Sequence, residues 1–143
     1  QIRKYRSKLS GPLLDRIDLH VEVPAVPPEA LGGPSATGGE PSAAIRVRVL
    51  EARGRQAARF ADCGGIHANS QMGPRDLVAW AQIGDAGADL LRNAVRRLGL
   101  SARAHDRILR VARTIADLAG SEGVRTDHLA EAIQFRALDL PFQ

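Results

Sequence analysis

A mainly α fold is predicted for this 143-residue chain: a helical bundle preceded by an orphan β-strand and a flexible linker. Three observations lead there. Apolar residues recur at helical spacing from Ser42 onward. One stretch, Ile17 to Val23, alternates apolar and polar residues with the period of a half-buried strand. Aromatics make up only 3% of a sequence that is 44% apolar, so the core must be built from Leu, Ile, Val and Ala. Such a core suits closely packed helices better than an aromatic-rich sandwich.

In the strand, Ile17, Leu19, Val21 and Val23 alternate with Asp18, His20 and Glu22. One strand is not stable alone, and no other segment reads as its partner. Its partners are therefore expected outside this chain. The chain also opens without Met and in mid-pattern, which points to a piece of something longer. "AVPPEALGGPSATGGEP", residues 25–41, is rich in Pro, Gly and Ser and reads as a flexible linker.

Helices follow. Ser42 is placed to cap one that runs to about Phe60, with Ile45, Val49 and Ala52 on its apolar face. Gly54 weakens it by about 1 kcal/mol relative to Ala. "GIHANSQMGP" reads as a loop, and a short helix follows near Asp76 to Ala81. Asp85 is placed to cap a helix to Leu98, which Gly99 stops. Ser101 caps the longest one, to about Ala119, with Ile108, Val111, Ala112, Ile115 and Leu118 on one face. Thr126 is placed to cap the last, to about Ala137, burying Leu129, Ile133 and Phe135. Short connections imply neighbouring helices in a bundle.

Charge and cysteine content narrow the function classes. The formal net charge is +4, and the 20 basic residues include only two lysines, Lys4 and Lys8. Much of this arginine excess reflects an alanine-, glycine- and arginine-rich composition, yet a basic surface still favours anionic partners. One cysteine, Cys63, excludes an internal disulfide and a Cys-cluster metal site. No apolar run approaches the roughly 18 residues of a membrane span, and "QIRKYRSKLS" has no apolar core of a signal peptide. A soluble, cytoplasmic protein without membrane partners is expected.

Three sets of arginines invite a functional reading. Arg16, in "LLDRID", is either an arginine presented to an anion on another subunit or the partner of Asp15 or Asp18 in an ordinary salt bridge. The first use suits a guanidinium, which is always charged and forks onto phosphate oxygens. Arg103, Arg107 and Arg110 share one face of the longest helix. Arg103 follows the cap closely, at the positive end of the helix dipole, where a cation is unfavourable unless it reaches for an anion. A plain solvated basic face is the alternative. Arg48, Arg55 and Arg59 fall close to one face of the first helix and either track a nucleic-acid backbone or coat a solvated surface.

His20, His67, His105 and His128 have no second ligand at metal-binding spacing, so no metal site is expected. Cys63 has no nucleophile motif around it, and Met72 and Trp80 read as packing residues. There is no GxxxxGK[ST], so the chain by itself is not expected to hold Mg-nucleotide in the P-loop manner or to hydrolyse ATP.

"YRSKLSGPLLDRIDLHVEVP" and "LSARAHDRILRVARTIADLAGSEGVRTDHLAEAIQFR", with "EARGRQAARF" and "HANSQM" between them, resemble the C-terminal part of bacterial magnesium-chelatase-like AAA+ ATPases of the ComM/YifB type. The resemblance covers nearly the whole chain outside the linker. It implies that residues 1–24 end an ATPase core, that 25–41 are a linker, and that 42–143 form the helical AAA+ lid. "LLDRID" resembles an element of the related MCM helicases that carries an arginine finger. That implies Arg16 is a finger acting on a neighbouring subunit, with Asp15 and Asp18 orienting it or capping the turn. "LSARAHDRIL" resembles a sensor-2 segment, which implies that Arg103, or more weakly Arg107, senses nucleotide.

The same resemblance implies ATP and Mg as cofactors of the full-length protein and identical neighbours in a ring, typically a hexamer. Three functions remain open. One is an ATP-driven DNA motor, a branch-migration helicase in natural transformation or recombination. Another is the motor subunit of a true magnesium chelatase, and the third is a non-enzymatic interaction module. The basic lid and the "GPLLDRIDLHVEVP" and "ARTIADL" segments favour the first.

Overall fold

The computed structural model describes Leu13, residues 16–26 and residues 39–136. These residues form helices α1 (Ser42–Arg59), α2 (Pro74–Trp80), α3 (Asp85–Leu98), α4 (Ala102–Leu118) and α5 (Thr126–Gln134), with a 3-10 turn at Asn69–Gln71. The fold is mainly helical, as the sequence predicts. No described helix is long and apolar enough to cross a membrane. The greater part of the expected linker, 27–38, and most of the expected core segment before residue 16 lie outside the described residues.

Helix α4 lies at the centre. It packs most extensively on α5, and also on α1, the 3-10 turn and α2, while α5 packs on α3. The reason is its composition: Ala104, Ala112 and Ala116 are buried beside Ile108 and Leu109, so neighbouring backbones approach closely. Leu91 of α3, Leu129 and Ala132 of α5, Leu77 of α2, and Phe60 and Met72 complete the core. Gly87 of α3 is one such approach, since a Cβ there would stand 3.2 Å from Ile83 and 3.5 Å from Leu129.

Ser101 caps α4 as expected, its Oγ accepting from the Ala104 amide at 3.1 Å. Gly99 ends α3 in the left-handed conformation, φ 62°. At three other helix starts the cap lies one residue earlier than the sequence suggests. Pro41, Gly84 and Arg125 take the extended cap backbone, and Ser42, Asp85 and Thr126 are the first helical residues. Side-chain contacts also organise other helix starts: Asp76 accepts from the Gly73 amide at 2.8 Å, and His128 Nδ1 from the Arg125 amide at 3.2 Å.

Residues 17–23 form no ladder among the described residues, and the chain bends at Asp18. Ile17, Leu19, Val21 and Val23 are 40–83% exposed. Alternation encodes a strand's two faces; it does not supply the neighbouring strand that closes its hydrogen bonds. In α1, Ala52 is buried, but Ile45 and Val49 are exposed, because only the C-terminal half of the helix packs on α4. Leu118, expected in the core, is also exposed.

The deepest polar feature is an ion cluster around Asp117, whose side chain is fully buried. Asp117 Oδ1 accepts from Arg113 Nη2 at 2.8 Å and Oδ2 from Arg59 Nη1 at 2.8 Å, while a second Arg59 nitrogen bonds Oδ1. Asn69 Nδ2 donates to Oδ2 at 2.8 Å and its Oδ1 accepts from Arg59 at 2.9 Å. Arg113 also donates to the carbonyls of Ser121 and Glu122. Burial alone would raise the Asp117 carboxyl, but hydrogen bonds from Arg59 and Asn69 and the two guanidinium charges outweigh it and hold the carboxyl below the usual aspartate range.

Asp117→Asn leaves two guanidiniums facing a neutral group, and a destabilisation of about 3–5 kcal/mol is expected in urea unfolding. The depressed carboxyl fixes the sign of the pH effect. Its contribution is complete above the unfolded aspartate pKa, roughly 4, and is lost as pH falls through the lower folded value. The wild-type chain should lose stability over that acid window, and the Asp117→Asn chain should lose less.

Candidate functional site

The N-terminal half of α4 and the segment around Asp18 come together. Arg107, on the second turn of α4, forms an ion pair with Asp18. Two further contacts fasten the same segment to the end of α5. The His20 amide donates to the Phe135 carbonyl at 2.8 Å, and the buried Arg136 guanidinium donates to the Ile17 carbonyl. His20 is itself 7% exposed. Residues 17–20 thus form a strap across α4 and α5. An apolar groove beside it is walled by Leu19, Val111, Ile115 and Phe135.

Arg16 precedes this strap by one residue. It is exposed, and its amide donates to the Leu13 carbonyl at 3.0 Å in a turn. Arg103 is exposed two residues after the Ser101 cap and makes no hydrogen bond or ion pair among the described residues. The geometry therefore sorts the α4 stripe. Arg103 stands open at the positive end of the helix, Arg107 holds the strap, and Arg110 donates Nε to the Met72 carbonyl at 2.9 Å.

The α1 arginines divide as well. Arg48 pairs with Glu40 through both guanidinium nitrogens, in solvent. The hydrogen bond from Arg48 holds Glu40 below the usual glutamate range. Arg55 is exposed and lies against Gly120. Arg59 turns inward to Asp117 and Asn69, with its side chain only 11% exposed. Trp80, expected in the core, is 40% exposed. Met72 is buried, as expected.

Arg113 escaped the sequence reading as a polar centre. The Arg113–Asp117 pair is visible at i, i+4 spacing, but Arg59 meets Asp117 across 58 residues. No group of three His, Cys, Asp or Glu placed to hold a metal occurs among the described residues. The exposed donors at the strap and at the α4 terminus are guanidiniums, which suit phosphate oxygens and not a cation.

Residues 39–136 match the family model of the magnesium chelatase subunit ChlI C-terminal region, and residues 1–31 that of the magnesium chelatase subunit ChlI. The chain belongs to the magnesium chelatase ChlI C-terminal family. It is 42% identical over 138 residues to competence protein ComM of Haemophilus influenzae, covering 96% of this chain and 26% of that protein. Against YifB of Salmonella typhimurium and of Escherichia coli it is 38% identical over 139 residues, 97% of this chain and 26% of each relative. The chain thus spans about a quarter of the length of the curated relatives it matches.

The strap is testable without nucleotide. Asp18→Ala removes a partly exposed ion pair, so a stability loss of no more than about 1 kcal/mol is expected. Hydrogen exchange at the His20 amide should rise at the same time. Unchanged protection of that amide would mean that the backbone contacts hold the strap unaided.

Proposed function

We propose that this chain is the C-terminal lid segment of a ring-forming ATPase whose full-length form is a DNA motor. The work we assign to it is branch migration during natural transformation or recombination. The observation that carries this reading is the strap. The segment bearing Arg16 is fastened, through Asp18 and Arg107, to the helix that bears Arg103. A subunit of a ring motor needs such a link, because a charge change felt at a neighbour's phosphate must be passed to a rigid element. The printed name of the Haemophilus influenzae relative, a competence protein, supports a role with DNA.

In this reading residues 1–24 end the ATPase core, 25–41 connect it to the lid, and 42–143 are the lid. ATP and Mg supply the reactive phosphoanhydride and its counter-charge, held by segments outside this chain. Arg16 reaches into the site of the adjacent identical subunit, in a ring of about six by analogy with related motors. There its guanidinium neutralises charge that grows on the transferring phosphoryl group. Asp18 does not compete for Arg16 while it is held by Arg107. Arg103, aligned with the positive end of α4, senses phosphate charge, with Arg107 as the weaker candidate. Arg48 and Arg55 face solvent where a nucleic-acid backbone can reach them. Arg59, engaged with Asp117, is the least available of the three.

The motor subunit of a true magnesium chelatase is the second reading, favoured by the descriptions of both family matches. It shares the ATPase chemistry and differs in the partner. The five arginines and single glutamate of α1 weigh towards DNA.

The test is ATP turnover by the full-length protein, wild type against Arg16→Ala, with ATP affinity measured alongside. Turnover should fall about 10³-fold or more while ATP still binds. Mixing the variant with subunits that cannot bind ATP should restore part of the rate if the arginine acts across the interface. Unchanged turnover would return Arg16 to the role of an ordinary surface cation.

A further inference from the structure

We propose that the cleft between α1, α2 and the loop after α4 is a site for single-stranded nucleic acid, with an unpaired base stacked on Trp80 and the adjoining phosphodiester held by Arg55. The inference rests on the DNA-motor reading and gives that reading a place on the chain.

Trp80 is the last residue of α2 and is 40% exposed, while Leu77 one turn earlier is buried. An indole left in solvent forgoes hydrophobic stabilisation that burial would have given. Here it helps to line a cleft of about 340 Å³ that Arg55, Arg59 and Arg113 also line. Arg59 and Arg113 converge on Asp117 behind the cleft. Arg113 is 2% exposed, and its Nε is buried with no hydrogen-bond partner among the described residues. Arg55 is exposed and makes no hydrogen bond or ion pair among the described residues, and its guanidinium rests on Gly120, 3.1 Å from where a Cβ would lie. The missing Cβ of that glycine leaves the space the guanidinium occupies, and its φ of 69° is one that glycine adopts without strain.

Three guanidiniums thus face two carboxylates, Asp117 behind the cleft and Glu122 at its exposed rim, and the surplus is positive. The surplus also continues past the cleft. Arg48 lies on the Arg55 side of α1, about 10 Å further along the axis at 1.5 Å per residue. Its partner Glu40 is a solvent-exposed carboxylate that a phosphate can displace. A compact polyphosphate would need its charges gathered at one point. Charge strung along a helix suits a chain of phosphodiesters. The indole adds the second requirement, an open π-face for one base. Bases inside a duplex are stacked and offer no such face, so the fitting ligand is single-stranded.

Trp80 is the single tryptophan of the chain, so its emission reports on the site directly. The experiment titrates the chain with a short oligothymidylate at low salt, following Trp80 emission and, in parallel, the anisotropy of a labelled oligonucleotide. Saturable quenching that weakens steeply with salt is expected. Arg55→Ala and Trp80→Ala should each raise Kd about tenfold, and Glu122→Gln should lower it. All three side chains are exposed, and circular dichroism confirms that the variants fold. Unchanged emission at saturation, or a Trp80→Ala chain that binds as tightly as wild type, places the interface elsewhere and overturns the site while leaving the motor reading intact. Equal quenching by ADP or inorganic phosphate overturns the polymer and makes the cleft a simple anion site. No binding of the oligonucleotide also overturns the site. The motor reading is then judged separately, by whether DNA stimulates ATP turnover of the full-length protein.

Discussion

One buried carboxylate fixes how the pieces of this fold meet. Asp117 takes Arg59 from α1, Asn69 from the 3-10 turn and Arg113 from its own helix, and Arg113 in turn holds the carbonyls of Ser121 and Glu122. The surrounding core is made of Ala, Leu and Ile. Such residues pack helices closely, but their attraction has no direction, and one register is almost as good as the next. Hydrogen bonds to a charged group are directional, and a buried donor left unsatisfied is costly. The cluster therefore selects one arrangement. Against a well-packed apolar substitute its net stability is small; its contribution lies in excluding the others.

The strap obeys the opposite rule. Asp18 is half exposed, so its pair with Arg107 is screened by water and salt. The backbone bond from His20 to Phe135 and the Arg136 contact to Ile17 add a little more. Together they hold the segment in place without committing it, because no ladder among the described residues locks residues 17–23. An attachment of this strength can be released and remade by a few kcal/mol of outside interaction, the scale of coupling between sites in regulated proteins.

Much of the fold is readable in the sequence, because helices α1 to α5 rest on local rules. Apolar spacing, Ser101 and Gly99 each act within a few residues. The one-residue shift at the Ser42, Asp85 and Thr126 starts has a local cause too: Pro41, Gly84 and Arg125 accept the extended cap conformation, so the polar residue after each joins the first turn. What periodicity does not reveal is which face finds a neighbour. Ile45 and Val49 fit the α1 pattern yet stay exposed, and Ile17 to Val23 alternate perfectly with no partner strand among the described residues. The same limit applies to the candidate site. Arg103 and Arg107 were legible from the α4 cap and helical spacing, but the Asp18–Arg107 pair joins residues 89 apart. Arg59 was legible as one of a basic row, not as the partner of Asp117, and Trp80 as an apolar residue, not as an exposed wall.

Arginine abundance is in part a matter of composition, and the structure gives it a division of labour. A guanidinium does not deprotonate to escape burial, so each one taken inside must bring its partners with it. Arg59, Arg113 and Arg136 follow this rule, bound to Asp117, to backbone carbonyls, or to both. Arg16, Arg55 and Arg103 do not: they stand in solvent, at a turn, at a cleft and at a helix N-terminus. Lysine would give solubility at those positions equally well. What distinguishes arginine there is the planar fork that grips two phosphate oxygens at once. The buried arginines are explained by the carboxylate and carbonyls they hold, and the exposed ones keep that fork open to solvent.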